Sequence, residues 1–115
     1  MAPIQAMRLS PLDPQCSVMW AAIAFAHFCA DRYDEACLWA TKALRETPNF
    51  LSGLRIAAAG NALSGRLVEA QEAVMCIRQV APTLRVSTVK HWASFRRPED
   101  LARLEDGLRK AGLPE

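Results

Sequence analysis

Aromatic residues are scarce in this chain. One tyrosine, three tryptophans and four phenylalanines make up 7% of 115 residues. Set beside 20 alanines, that scarcity disfavours sheet and favours helix. Glycine is scarce too, at five residues, and nowhere gathers into a phosphate-cradling loop. Long hydrophobic runs are missing. The longest nearly uninterrupted one, Val18 to Ala30, is thirteen residues and contains His27, against roughly 17 to 25 for a membrane-spanning helix. No basic stretch leads into an apolar run and cleavage site at the N-terminus, so no signal peptide is read. These absences predict a cytoplasmic protein without membrane insertion. The four cysteines, Cys16, Cys29, Cys37 and Cys76, include no two that lie two to four apart, so the usual zinc pairing is lacking. They read as small buried hydrophobes in a reducing compartment, with a disulfide or reactive thiol as the alternative. Charge of one sign is not in excess either. A net charge of +2 with 51% hydrophobic residues excludes intrinsic disorder. The length is that of one small domain, too short for a doubly wound nucleotide-binding domain, a TIM barrel or an α/β-hydrolase.

Catalytic constellations are equally missing. No serine or cysteine stands with a histidine and a carboxylate at a signature spacing. His27 falls on a packing face and reads as a core or rim residue, and His91 lies in a basic connector and reads as solvated. Asp34-Glu35 and Glu99-Asp100 are adjacent acids at helix starts, where the helix dipole accounts for them better than acid–base catalysis. The chain is therefore read as no enzyme, with neither cofactor nor metal. Any catalytic domain would lie outside it.

What is present is a repeat. Pro48 and Pro82 are 34 residues apart. Sliding the sequence by 34 pairs Trp20 with Leu54, Ile23 with Ala57, Ala24 with Ala58, Tyr33 with Leu67, Glu35 with Glu69, Ala36 with Ala70, Ala40 with Val74 and Ala43 with Ile77. Each unit reads as two antiparallel helices. The first unit has helices over 14–30 and up to about Thr47, with Asp31 and Asp34 supplying turn and capping oxygens and Pro48 as the stop. The second has helices over 50–64 and 67–80, with Gly65 as a left-handed cap. Ala24, Ala36, Ala58 and Ala70 mark the close helix contacts.

These residues resemble the tetratricopeptide repeat, a 34-residue helix pair whose pattern runs tryptophan, leucine–glycine, tyrosine, alanine, aromatic and proline. Trp20, Ile23, Ala24, His27, Ala36, Ala40, Ala43 and Pro48 fill it in the first unit. Leu54, Ala57, Ala58, Asn61, Ala70, Val74, Ile77 and Pro82 fill it in the second. Alanine replaces the family's glycine, His27 and Asn61 its tyrosine, and Ala40 and Val74 its aromatic. The resemblance implies an all-α fold of antiparallel helix-pair repeats, a TPR-like α-solenoid with a C-terminal capping helix. The division is 1–13 as the end of a preceding repeat, 14–48 as unit one, 49–82 as unit two, and 83–115 as a degenerate third repeat and cap.

The ends carry the register raggedly. Ala6 to Pro11 resembles Ala43 to Pro48, the end of a second helix. This predicts a fragment of a longer array, the alternative being a short native chain whose first turn caps the stack. At the other end Pro98 suits a first helical position, Glu99 and Asp100 suit the first turn, and Gly112 and Pro114 stop a helix over 98–111. Its expected exposed face is Arg103, Asp106, Arg109 and Lys110. Val86, Val89, Trp92 and Phe95 recur every three residues and predict a short or distorted helix.

In such a stack the first helices line a concave groove. Val18, Ala21, Phe25 and Phe28, then Ser52, Arg55, Ala59 and Ala62, are the positions that would face it. The lining is mainly apolar, suited to a protein or peptide partner or to self-association as a homodimer, with Phe25 and Phe28 as anchors. No carboxylate clamp of lysines, arginines and asparagines is visible. The alternative is nucleic-acid or anion binding through Arg85, Lys90, Arg96 and Arg97, the region that carries the charge excess. A second resemblance frames the first. LSPLDP (9–14), HFCADRYDEA (27–36) and the closing FRRPEDLARLEDGLRKAGLPE look like the C-terminal region of bacterial proteins that join a class III adenylate or guanylate cyclase domain to tetratricopeptide repeats. That implies a non-catalytic interaction or scaffold region of a bacterial signalling protein.

Overall fold

A computed structural model describes residues 14–91 and 97–115, with the backbone alone at 14 and 15. Among the described residues the chain is all-helical. The elements are α1 (Pro14–Cys29), α2 (Tyr33–Glu46), α3 (Leu51–Leu63), α4 (Leu67–Val80), a 3-10 segment (Val86–His91) and α5 (Pro98–Ala111). The proposed preceding-repeat segment 1–13, and Trp92, Phe95 and Arg96, lie outside the described residues.

The helices end where local chemistry stops them, and they do so periodically. After α1, Asp31 takes a left-handed conformation (φ 64). Its N–H donates to the Phe28 carbonyl at 3.1 Å and the Arg32 N–H to the His27 carbonyl at 2.9 Å. After α3, Gly65 takes the same conformation (φ 87). Its N–H donates to Ala62 at 3.2 Å and that of Arg66 to Asn61 at 2.8 Å. This is the paired bonding that satisfies the last carbonyls of a helix, repeated at a spacing of 34. Two further bonds recur at that spacing. The Thr47 N–H donates to Ala43 (2.9 Å) and the Ala81 N–H to Ile77 (2.7 Å). The Phe50 and Leu84 N–H groups donate to Thr47 and Ala81, both at 3.0 Å.

Asp31 and Asp34 do not cap. The residues preceding α2 and α4 are Arg32 and Arg66, and neither makes a side-chain cap bond. Asp31 accepts from the Tyr33 hydroxyl at 3.1 Å and pairs with Arg103. Asp34, in the first turn of α2, pairs with Arg66 at 2.8 Å. A left-handed residue cannot also stand as an extended cap, and tertiary partners take the carboxylates.

Alanine and glycine set the packing. Ala24, Ala36, Ala58 and Ala70 are fully buried. In α3 every residue from Gly53 to Gly60 is buried, because α2, α4 and α5 all lean on it. A Cβ on Gly60 would stand 2.7 Å from Cys37 Sγ, and one on Gly107 would stand 2.8 Å from both the Cβ and the carbonyl oxygen of Ala59. α5 therefore crosses α3 at a glycine–alanine contact. Its Leu104, Leu108 and Ala111 are buried. Gly112 closes it in left-handed conformation (φ 106). Beyond it the Pro114 carbonyl accepts from the Val86 N–H at 2.8 Å, tying the tail to the 3-10 segment.

Candidate functional site

The eight positions expected to line an open groove divide sharply. Val18 is 55% exposed, whereas Ala21 and Phe28 are buried. Phe25 is half-buried against the core. Across the seam Ser52 is half-buried, and Arg55, Ala59 and Ala62 are buried. The cause is α5, whose Gly107 seats on Ala59. The inner face of α3 is thus a contact within the chain and not an open groove. Phe28, proposed as an anchor, is a core residue whose ring lies 5.3 Å from that of Tyr33. Burial also pushes the Arg55 guanidinium below its ordinary pKa.

α5 is fastened at its start by a polar cluster. Asp100, only 5% exposed, accepts from Arg97 at 3.0 Å and from Arg103. Both guanidinium groups also reach the free carbonyl of Cys29, at 3.1 and 3.3 Å, and Arg103 pairs with Asp31. Arg103 is therefore turned inward and not onto the expected solvent face, while Arg109 and Lys110 are exposed. Burial works to raise the Asp100 pKa, but hydrogen bonds from Arg97 and Arg103 outweigh it and hold the carboxyl below the usual carboxylate range. Beside it, burial and then the Asp100 charge push the Cys29 thiol up. A protonated thiol is a poor nucleophile.

The basic segment is partly spent internally. The Arg85 guanidinium donates to the carbonyls of Pro82 and Leu84 at 2.9 and 3.0 Å, and Arg97 belongs to the cluster around Asp100. Lys90 and His91 are exposed, and Arg96 lies outside the described residues. The cysteines also need correction. Cys16 and Cys37 are buried as expected, Cys29 is half-buried, but Cys76 is exposed on α4. His27 sits half-buried with Nδ1 3.7 Å from Glu35.

A surface that sequence reasoning missed lies on the outside of the first unit. Leu38 is 66% exposed. Next to it the Lys42 ammonium stands 4.7 Å from the Trp39 ring centre and 5.6 Å from that of Trp20. Leu38, Trp39, Thr41, Lys42 and Arg45 line a depression there. The adjoining α1 carries no Asp, Glu, Lys or Arg along its 16 residues. Such a helix is apolar on all sides and calls for cover on all sides. Yet Ala22 and Ala26 are exposed and Met19 and Ile23 only half-buried. The signal was present in the uncharged run from Pro14 to Cys29, but the concave positions drew the reading elsewhere. Among the described residues no group of His, Cys, Asp and Glu could hold a metal ion, and no helix is long and apolar enough to cross a membrane. No family model matches this chain, and no curated protein and no solved structure matches it either.

Proposed function

We propose that this chain is a non-catalytic scaffold module of the TPR-like α-solenoid type, which works by docking protein helices against its own. The observation that carries this reading is the recurrence, at 34 residues, of the same turn conformation and the same end-of-helix hydrogen bonds. That recurrence accompanies the sequence repeat. In repeat architectures each unit buries its apolar face against a neighbour, and here Ala22 and Ala26 of the first unit stay exposed among the described residues. The phrase-level resemblance to cyclase-linked repeat regions supports a place in a bacterial, cytoplasmic signalling protein, with this chain as a recruiting or assembling part of it. Partner binding or self-association then runs through the outer face of α1 and α2, not through the inner face that α5 fills.

The experiment is gel filtration of native cell extract. The chain is expected above the mass of a monomer, and Ala22→Arg with Ala26→Arg is expected to move it to the monomer position without changing its circular dichroism. Elution as a monomer before and after the substitution removes the scaffold reading.

A further inference from the structure

The two units use the same helix seam differently. Between α1 and α2 the Lys42 ammonium stands 4.7 Å from the Trp39 ring centre and 5.6 Å from that of Trp20, so two indoles flank one cation. Further along, His27 Nδ1 lies 3.7 Å from Glu35. Counting on 34 residues, Trp20 becomes Leu54, Trp39 becomes Ala73, Lys42 becomes Cys76 and His27 becomes Asn61. The aromatic and basic side chains of the first seam give way to smaller, uncharged ones in the second. The acids run the other way. Glu35 is kept as Glu69, and Leu38 becomes Glu72.

The exchange leaves a trough of about 370 Å³ lined by residues of α2, α3 and α4, a size at the low end for a small-molecule site. Leu54, Ala57 and Ala73 are buried at its base. Leu44 is half-buried on the α2 side, and Glu69 and Glu72 are exposed on the α4 side. Arg66, the cation among the described lining residues, is spent on Asp34 at 2.8 Å and on the Asn61 side-chain oxygen at 2.7 Å. The trough is therefore apolar below and negative along one rim.

We propose that this trough binds a small aromatic cation, a flat ring carrying an alkylammonium group. The ring takes the space that corresponds to the Trp39 indole of the first unit, against Leu44, Leu54 and Ala73, and the ammonium meets Glu69 and Glu72. The first seam is the template, since it holds ring and cation as its own side chains. The second keeps the room and the opposite charge. Burial of the ring supplies affinity, and charge complementarity selects the sign of the ligand. The site does not depend on the scaffold reading.

The probe is tryptamine, titrated into the chain at neutral pH and followed by NMR shifts of the Leu44, Leu54, Ala57 and Ala73 methyl signals. Saturable binding with a dissociation constant of about a millimolar or below is expected, as for a ligand of this size, weakening with salt. Indole-3-acetate has the same ring and the opposite charge, and butylamine has the charge and no ring. Each is expected to bind at least about tenfold more weakly. Glu69→Gln together with Glu72→Gln is expected to weaken tryptamine about tenfold and to remove the salt dependence. Both residues are exposed, so the thermal midpoint is expected to stay unchanged. Ala73→Trp, which restores the first unit's indole, is expected to abolish binding without lowering the thermal midpoint. Absence of saturable shifts at these methyls, equal binding of indole-3-acetate or butylamine, or binding indifferent to the double substitution overturns the proposal. So does a lower thermal midpoint with Ala73→Trp, since the chain itself then fills the space.

Discussion

α1 and α3 are the corresponding helices of two units with the same backbone plan, and they differ in how much of their circumference is buried. α3 is enclosed from Gly53 to Gly60, while α1 exposes Val18, Ala22 and Ala26. Composition does not explain the difference, because α3 carries Arg55 and α1 carries no Asp, Glu, Lys or Arg. Neighbours explain it. α3 has α2 on one side and α5 on another, and it accepts them closely because Gly53, Ala59 and Gly60 stand at the crossings. Equivalent positions in a repeat therefore do different work according to what stacks on them.

Substitutions can break that comparison in order of size. Gly107→Val drives a branched side chain into the Ala59 backbone. It is expected to cost about 3 kcal/mol, the upper range for overpacking, read as a fall in the urea midpoint. A loss under about 1 kcal/mol would mean that α5 is not seated as described. Gly60→Val is expected to cost about 2 kcal/mol, whereas Ala26→Val, the corresponding change in α1, should stay within about 0.5 kcal/mol. Equal effects at the two positions would erase the distinction between a covered and an open helix.

Next in size is the fastening of α5. Asp100→Asn removes a charge that accepts from two arginines, and about 1 to 2 kcal/mol is expected to be lost near neutral pH. The pH dependence has a definite sign. The folded-state pKa of Asp100 lies below the ordinary value, which is about 3.9 in an unfolded chain. The folded state then binds fewer protons at Asp100 than the unfolded one, so this stabilisation is present above roughly pH 4 and is lost as the pH falls through the folded value. Wild-type and Asp100→Asn stabilities should therefore converge on acidification, and parallel pH curves would count against the cluster. Smallest is the turn pair. Gly65→Ala is expected to lose about 1 kcal/mol for placing a Cβ at φ 87. Asp31→Asn should lose only a few tenths, because asparagine tolerates the left-handed region and only a part-exposed ion pair with Arg103 is removed.

Much of this was legible in particular residues. Pro98 and Gly112 bound α5, and Gly65 closes α3 as its conformational freedom requires. The same position in the first unit was misread, because aspartate can serve as a cap oxygen or as a left-handed residue. Here it is left-handed, and its carboxylate pairs with Arg103, 72 residues away. The burial of the inner positions was not legible for a related reason. Leu104, Leu108 and Ala111 make one face of α5 apolar, but nothing in that pattern says which helix it covers. Only the seating of Gly107 on Ala59 shows that the inner positions are covered by the chain's own cap.

By itself the sequence determined the helices, their approximate ends and the 34-residue period, because these rest on local propensity, on left-handed closing residues and on apolar spacing within one unit. The tertiary structure alone decided which faces stay open. Burial is a property of pairs of surfaces, and the crossing of Gly107 over Ala59 closes the inner face of α3, while among the described residues Val18, Ala22 and Ala26 of α1 stay exposed.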